Sequence, residues 1–421
     1  MLSSIGSATQ SNERLWTFTQ PDGTQFQATL VGDEFYAYYQ TPAGEVLVQD
    51  AASGYWYYAL TQADGTLLRT TQMAGRTAPQ KALLNQELGS WLKAVARVAE
   101  ERAQQVTEGF ASSVKVPTSG TVTGVLLLAN FSDTTPTFAA SDFDGLMNTP
   151  GYDLNGALGS VRDFYYECSY GALTMHIDVY GWFTLPQSRA YYGHNTSTAG
   201  TDQNRRQMIL DALSASDATV NYADYDADGD GWVDFFGVIH QGQGEEQSGA
   251  PEDCLWSHRW YLSTEQTLDG KKVKDFYTAP EMLYANLTTI GVHCHEMGHV
   301  FNLPDLYATS GSSQGIGEWS VMSSGNWCGP SKNGAKPCHF DPWCKMALGW
   351  LTPTVVSSAG TGLSLPNYDQ NATALLVPVD AYQDGEYFLI CNRYRRTGVA
   401  GTGFDQYLPG SGALIMHIDD Y

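Results

Sequence analysis

His293-Cys294-His295-Glu296-Met297-Gly298-His299-Val300-Phe301-Asn302-Leu303-Pro304-Asp305-Leu306-Tyr307 is the most informative stretch of this 421-residue sequence. The apolar spacing around it predicts a helix over residues 287–301. His295 and His299 stand four apart, so on a helix both imidazoles leave from one face and can reach a single Zn2+. Glu296 follows the first of them, where its carboxylate can hold a water at that metal and act as general base. Asn302 falls where the chain must turn back, and Asn tolerates left-handed backbone better than most residues. Pro304 forbids continuation of the helix. Asp305 can then return as a third, oxygen ligand, and two His plus one carboxylate leave the fourth position open, as a catalytic zinc site requires. Glu318 is the rival third ligand. The plain structural alternative is an amphipathic helix whose histidines are merely hydrogen-bonded.

Working outward, Gly315-Ile-Gly-Glu-Trp319-Ser-Val-Met322-Ser-Ser-Gly325 lies downstream. A Met in a tight turn can form an apolar floor under a metal site, because its thioether fills irregular gaps. Upstream, Asp226-Ala-Asp228-Gly-Asp230-Gly231-Trp-Val-Asp234 is a DxDxDGxxD loop. Oxygens from Asp226, Asp228, Asp230 and Asp234, with the Trp232 carbonyl, suit the 6–8 oxygen shell of a structural Ca2+. The bidentate acid usual at the twelfth position is absent, since Gly237 stands there, so Glu245 or Glu246 is the expected supplement, with Asp224 in support. A solvated acidic turn is the alternative.

The loop belongs to a wider imbalance. The formal charge is −23, and between Arg206 and Arg259 there are eleven acids and no Lys or Arg. Such a chain lacks the basic footprint of a nucleic-acid binder and is repelled by anionic membrane surfaces. No run reaches the ~18 apolar residues of a membrane span. The seven cysteines contain no CxxC pair, so they read as buried thiols or as one loop bridge among Cys328, Cys338 and Cys344.

Three units are expected, with an α+β or α/β layout overall. Residues 1–115 hold a β-meander over 13–75 and a helix within 80–105, and the boundary near 115 falls inside a polar linker over 107–121. Residues 116–355 alternate strands (122–131, 173–179, 233–239) with helices (159–168, 202–213, 287–301), the pattern of a twisted sheet with an active-site helix. Residues 356–421 continue a β-rich part, with strands expected at 355–365, 374–379, 387–392 and 413–418. That part looks truncated at its end, and no secretory leader is visible in residues 1–15. His240, His258 and His417 could line the cleft or bind the transition state but read first as structural hydrogen-bonding groups. His293 reads as core or as backing for the zinc face, Tyr307 as a packed aromatic before a hydrogen-bonding partner near Asp305, Lys345 as helix surface and Trp350 as core.

HExxHxxNxxD followed by a Met-bearing turn resembles the metzincin clan of zinc peptidases, with Met322 in the place of the clan's Met-turn. More narrowly, the chain is similar to the immune-inhibitor-A-like peptidases, family M6. The matching phrases are Ser160-Val-Arg-Asp-Phe-Tyr-Tyr-Glu-Cys-Ser-Tyr-Gly-Ala-Leu173, Gly242-Gln-Gly-Glu-Glu246, Leu255-Trp-Ser-His-Arg259, the zinc segment through Tyr307, Trp319-Ser-Val-Met322, Lys345-Met-Ala-Leu-Gly-Trp350 and Leu408-Pro-Gly-Ser-Gly-Ala-Leu-Ile-Met-His417. Asn302 stands where metzincins usually carry Gly, and Asp305 where many carry His. The resemblance implies a bacterial, secreted or cell-surface zinc endopeptidase acting on proteins or peptides. It also implies that the meander is a propeptide that inhibits its own catalytic unit. No cysteine precedes Cys168, so no propeptide thiolate can block the metal; a carboxylate or occlusion of the cleft would have to do so. The competing classes are a non-catalytic, calcium-binding, adhesin-like surface protein and a zinc hydrolase of non-peptide amides.

Overall fold

The computed structural model describes residues 7–33, 36–61, 67–76, 116–195, 202–247, 249–251, 253–308, 313–358, 362–379, 386–396 and 403–419. The helix expected within 80–105 and most of the 107–121 linker lie outside them.

After a two-residue strand, β1 (Ser7–Ala8), the meander is present as six strands paired in sequence order. They are β2 (Trp16–Thr19), β3 (Gln25–Asp33), β4 (Tyr36–Gln40), β5 (Val46–Gln49), β6 (Trp56–Thr61) and β7 (Leu67–Met73). Phe18, Phe26, Tyr39 and Trp56 pack as its small core, with ring centroids between 4.9 and 6.0 Å apart.

The central sheet contains β8 (Gly120–Asn130), β9 (Leu173–Thr184), β10 (Phe236–Gln243), β11 (His258–Leu268), β12 (Lys271–Leu283) and the short β13 (Asn286–Leu287). Its order is β1-β11-β12-β10-β8-β9. β9, β8, β10 and β12 run parallel, β11 is antiparallel to β12, and β1 adds antiparallel to β11. Parallel neighbours need crossovers; those from β8 to β9 and from β9 to β10 carry helices, while β10 reaches β12 by way of β11. Ala140–Asn148 and Val161–Cys168 join β8 to β9; Arg189–Gly193 and Arg205–Ser216 join β9 to β10. Both faces are therefore covered. Along β8, Val122, Leu126 and Leu128 enter the core shared with helices Val161–Cys168 and Ile290–Val300. The alternate residues Val125, Leu127 and Ala129 enter the core shared with Arg205–Ser216. This explains why β8 reads as a continuous apolar run rather than an alternation.

β11 and β12 form a long hairpin that the sequence pattern did not suggest. Its turn, Asp269-Gly270, has both residues at positive φ (48° and 79°), as a two-residue type I′ hairpin needs. The helix Ala140–Asn148 was likewise not anticipated.

The C-terminal sheet orders β14 (Thr354–Val355), β15 (Leu375–Pro378), β16 (Glu386–Arg393) and β17 (Gly412–Asp419) in sequence. Of the strand expected over 355–365, the sheet contains only Val355. This sheet is bound tightly to the central unit. Arg393 is fully buried, pairs with Asp405 at 2.8 Å and donates to the Trp319 carbonyl at 2.8 Å. Lys345, expected on a surface, is instead fully buried. Its ammonium lies 4.1 and 4.4 Å from the Tyr170 and Tyr368 ring centroids and 3.0 Å from His339 Nδ1. Tyr368 arrives from the C-terminal part, a long-range contact that local periodicity does not report. Trp350 packs in the core as expected.

Candidate active site

Helix Ile290–Val300 is buried along all eleven residues, so it runs through the core instead of lying amphipathically on it. It ends as its sequence demands. Asn302 has φ 64°. Its N–H donates to the His299 carbonyl at 2.9 Å and the Leu303 N–H donates to the Gly298 carbonyl at 3.1 Å. This is a Schellman closure with Asn in the left-handed position that Gly more often occupies. The turn sends the chain back toward the helix and brings Asp305 beside the two histidines.

His295 Nε2 and His299 Nε2 are 3.0 Å apart, and each is 3.2 Å from Asp305 Oδ1. The remaining ring nitrogens settle the tautomers. His295 Nδ1 donates to the Val321 carbonyl and His299 Nδ1 to the Leu303 carbonyl, each at 2.7 Å. A carbonyl only accepts, so both Nε2 lone pairs point into one space that also holds a carboxylate oxygen. Three converging acceptors with no donor between them can hold a cation. Ligand atoms bound tetrahedrally to zinc stand roughly 3.3 Å from one another, close to the spacings seen here. The donor set, two imidazoles and one carboxylate, fits Zn2+ with one position open. Glu318 is not part of this triangle; it pairs with Lys332 at 3.4 Å and is partly exposed.

Met322 lies beneath the helix. A Cβ placed on Gly298 would overlap its Sδ, so the missing side chain at 298 is what lets the turn close on the metal helix. The Met322 carbonyl accepts from the Leu306 N–H at 2.8 Å, which ties this turn to the segment carrying Asp305.

Glu296 is fully buried. Burial pushes its carboxyl well above the usual range; the Thr9 hydrogen bond opposes this and the Asp305 charge adds to it. The Thr9 hydroxyl donates to Glu296 Oε1. Thr9 is held there by its N–H to the Ser257 carbonyl at 3.2 Å and by the Trp256 indole N–H, which donates to its carbonyl at 2.6 Å. Next to it the Trp327 indole donates to the Gln10 carbonyl at 2.9 Å, and the Asn12 N–H to the Glu246 carbonyl at 3.1 Å. Residues 7–12 thus run from the β11 edge across the metal helix. Sequence reasoning missed them, because a short polar stretch such as Thr9-Gln10-Ser11-Asn12 carries no pattern that marks it.

In the acidic loop, Asp226, Asp228 and Asp230 each bring a carboxylate oxygen within 4.8 Å of the others. Asp226 Oδ1 and Asp234 Oδ1 are buried and make no hydrogen bond among the described residues. Lys271 Nζ sits 2.6 Å from Asp226 Oδ2. Burial, then the three loop acids, raise Asp234 to about 6. Glu245 and Glu246, expected as supplementary ligands, are engaged elsewhere: Glu245 accepts from Asn195 at 2.6 Å and Glu246 from the Ser257 hydroxyl at 2.8 Å. His240 and His258 are buried with Nδ1 near backbone carbonyls, His293 packs edge-on against Tyr277, and His417 of β17 pairs with Glu386 of β16. All seven cysteines are free and buried.

A central parallel sheet, a buried helix bearing His295 and His299, and the Glu296 carboxylate beside the triangle with Asp305 form an arrangement able to hold a metal, as metallopeptidases do. The family model for the immune inhibitor A peptidase M6 catalytic domain matches residues 133–351, and the chain belongs to that family. The chain is similar to the pre-pro-metalloprotease PrtV of Vibrio cholerae, 31% identical over 215 residues. That match covers 45% of this chain and 23% of the relative. It is also similar to immune inhibitor A of Bacillus thuringiensis subsp. alesti, 32% identical over 209 residues, covering 43% of this chain and 30% of the relative. The chain thus spans under a third of the length of these relatives.

Proposed function

We propose that this chain is a zinc-dependent endopeptidase of metzincin type, held latent by its own N-terminal region. The observation that carries the reading is the triangle of His295 Nε2, His299 Nε2 and Asp305 Oδ1 with Glu296 one residue from its first member. Four parallel strands, one antiparallel strand beside them and a metal helix over a Met turn support the metzincin layout.

When bound to those three residues, Zn2+ supplies Lewis-acid polarisation of the scissile carbonyl and makes water more acidic. The protein residues do the rest. Glu296 takes a proton from the attacking water and returns it to the leaving amine. The backbone carbonyls of Val321 and Leu303 hold the two imidazoles in the tautomer that presents Nε2 inward. The β11 edge pairs with β1 here, and an extended substrate can pair with the same edge.

Latency follows from residues 7–12. Their strand occupies the sheet edge and their Thr9 hydroxyl engages the base, so no peptide can reach Glu296 while they remain. The region 1–115 is read as the propeptide, 116–355 as the catalytic unit, and 356–421 as a β-rich part attached to it. Asp226, Asp228, Asp230 and Asp234 are proposed as a structural Ca2+ loop, supported by the buried Oδ1 atoms of Asp226 and Asp234, which make no hydrogen bond among the described residues. Export as a bacterial precursor is supported by the word pre-pro in the Vibrio relative's name.

The test is metal content together with peptide hydrolysis. The wild-type chain is expected to bind one zinc and, once its N-terminal region is removed, to cleave casein. Glu296→Ala should keep the metal and lose the cleavage. Equal proteolysis by both proteins would overturn the mechanism, and absence of zinc would overturn the site.

A further inference from the structure

A second group of oxygens lies apart from the zinc triangle and apart from the Asp226–Asp234 loop. It forms where the segment between helices Arg189–Gly193 and Arg205–Ser216 meets the segment between β10 and β11. Asn195 and Asp202 face each other across an antiparallel bridge. Asp202 is 3% exposed. Its Oδ2 accepts from the Trp256 N–H at 3.2 Å. Its Oδ1 is fully buried and has no hydrogen-bond partner among the described residues. Asn195 donates through Nδ2 to Glu245 Oε1 at 2.6 Å, while its own Oδ1 is buried with no such partner. The charges acting on Asp202 come from Glu245 first and Glu246 second, both acids. The Arg189 charge acts on Cys254 beside the same acids, but no Lys or Arg charge is among those acting on Asp202.

Two carboxylates cannot face each other out of water unless they share a proton or hold a cation. A shared proton leaves the Asn195 amide oxygen with nothing to accept, whereas a cation with 6–8 oxygen ligands engages the amide and both acids together. All the donors are oxygens, with no imidazole or thiolate among them, which selects a hard ion over zinc. We propose that Asn195, Asp202 and Glu245 hold a divalent cation of the calcium type at a second site distinct from the acidic loop.

Its position gives it a task. Glu245 precedes Glu246, whose carbonyl receives Asn12; Asp202 is bonded to the N–H of Trp256, whose indole holds Thr9. The ion would therefore tie the segment around Asn195 and Asp202 to the stretch from Glu245 to Trp256 that holds Thr9 and Asn12. The assignment does not depend on the peptidase reading and is tested without activity.

The experiment uses the full chain, loaded with zinc, with the acidic loop silenced by Asp228→Asn and Asp230→Asn. Equilibrium dialysis against radiolabelled calcium should still find one bound ion, and calcium should still raise the melting temperature. Adding Asp202→Asn should weaken that binding at least roughly tenfold, since one of two carboxylate ligands is lost. Asn195→Asp, which adds a carboxylate, should tighten binding and make the folded chain more dependent on calcium. Two results would overturn the proposal. One is no calcium bound by the loop-silenced chain and no thermal response to it. The other is an Asp202→Asn chain that melts higher without calcium while binding is unchanged, the behaviour of a proton-sharing pair.

Discussion

Thr9→Val is the sharpest test of latency. Valine matches threonine in shape but cannot donate to Glu296 Oε1, the contact by which residues 7–12 engage the base. Zn2+ bound beside Glu296 would offset the effect of burial and favour the carboxylate, and a hydrogen bond to a charged group contributes about 1.5–3 kcal/mol net. The substitution also leaves Glu296 buried with less support, because its Oε2 already lacks a hydrogen-bond partner among the described residues. The Trp256, Trp327 and Ser257 contacts to the segment's backbone are untouched, so the segment should still bind. At about 1.4 kcal/mol per factor of ten, the open fraction should rise roughly 10- to 100-fold. The assay is hydrolysis of a quenched-fluorescence peptide by the intact, zinc-loaded chain, beside the same chain freed of its N-terminal region. Basal activity of the intact variant should rise by that factor, while the freed forms of wild type and variant should match. An intact variant no more active than wild type would refute the reasoning, as would an equal gain in both forms.

Three further outcomes are expected. Gly298→Ala forces a Cβ against Met322 Sδ, and overpacking of this kind costs about 1–3 kcal/mol, so thermal melting should fall and zinc should be lost more readily to a chelator. Burial lowers His240 to about 4, so the unfolded chain takes up protons that the folded chain refuses between about 6.5 and 4. Stability should therefore fall as pH drops through that window, by up to about 3 kcal/mol from this group, and His240→Phe should flatten that part of a denaturant-melting series. Lys271→Met removes the ammonium lying on Asp226, so calorimetry should show tighter calcium binding at the acidic loop; unchanged affinity would count against the loop as a cation site.

The metal helix is legible in sequence because its information is local. His295, Glu296 and His299 are set by helical spacing, and Asn302 with Pro304 sets the turn that returns Asp305. Glu318 is told apart from that return only by the folded structure, in which it lies beside Lys332. The meander is legible for the same reason, as each of its strands pairs with its sequence neighbour. What local pattern hides is contact across long separations. Thr9 reaches Glu296 over 287 positions, and Lys345 is enclosed by Tyr170 and Tyr368 from either side of the chain. The β11–β12 hairpin escapes for a different reason. Its outer half carries Lys271, Lys272, Lys274, Glu265 and Thr267, so the apolar alternation is broken, and only Asp269-Gly270 signals the turn.

On the proposed latency, the blocking strand β1 stands before the meander, whereas the region whose cleavage would separate it follows the meander. A cut anywhere between residues 76 and 116 leaves the meander seated through Trp16 stacked on Tyr284, Tyr39 bonded to Gly249, and β1 on β11. After the cut, the blocker is no longer tethered, but neither is it gone. Its release then obeys mass action: crowded at the site of synthesis it rebinds, and dispersed into a large volume it does not. Dilution, rather than cleavage alone, would decide when and where such a precursor becomes active.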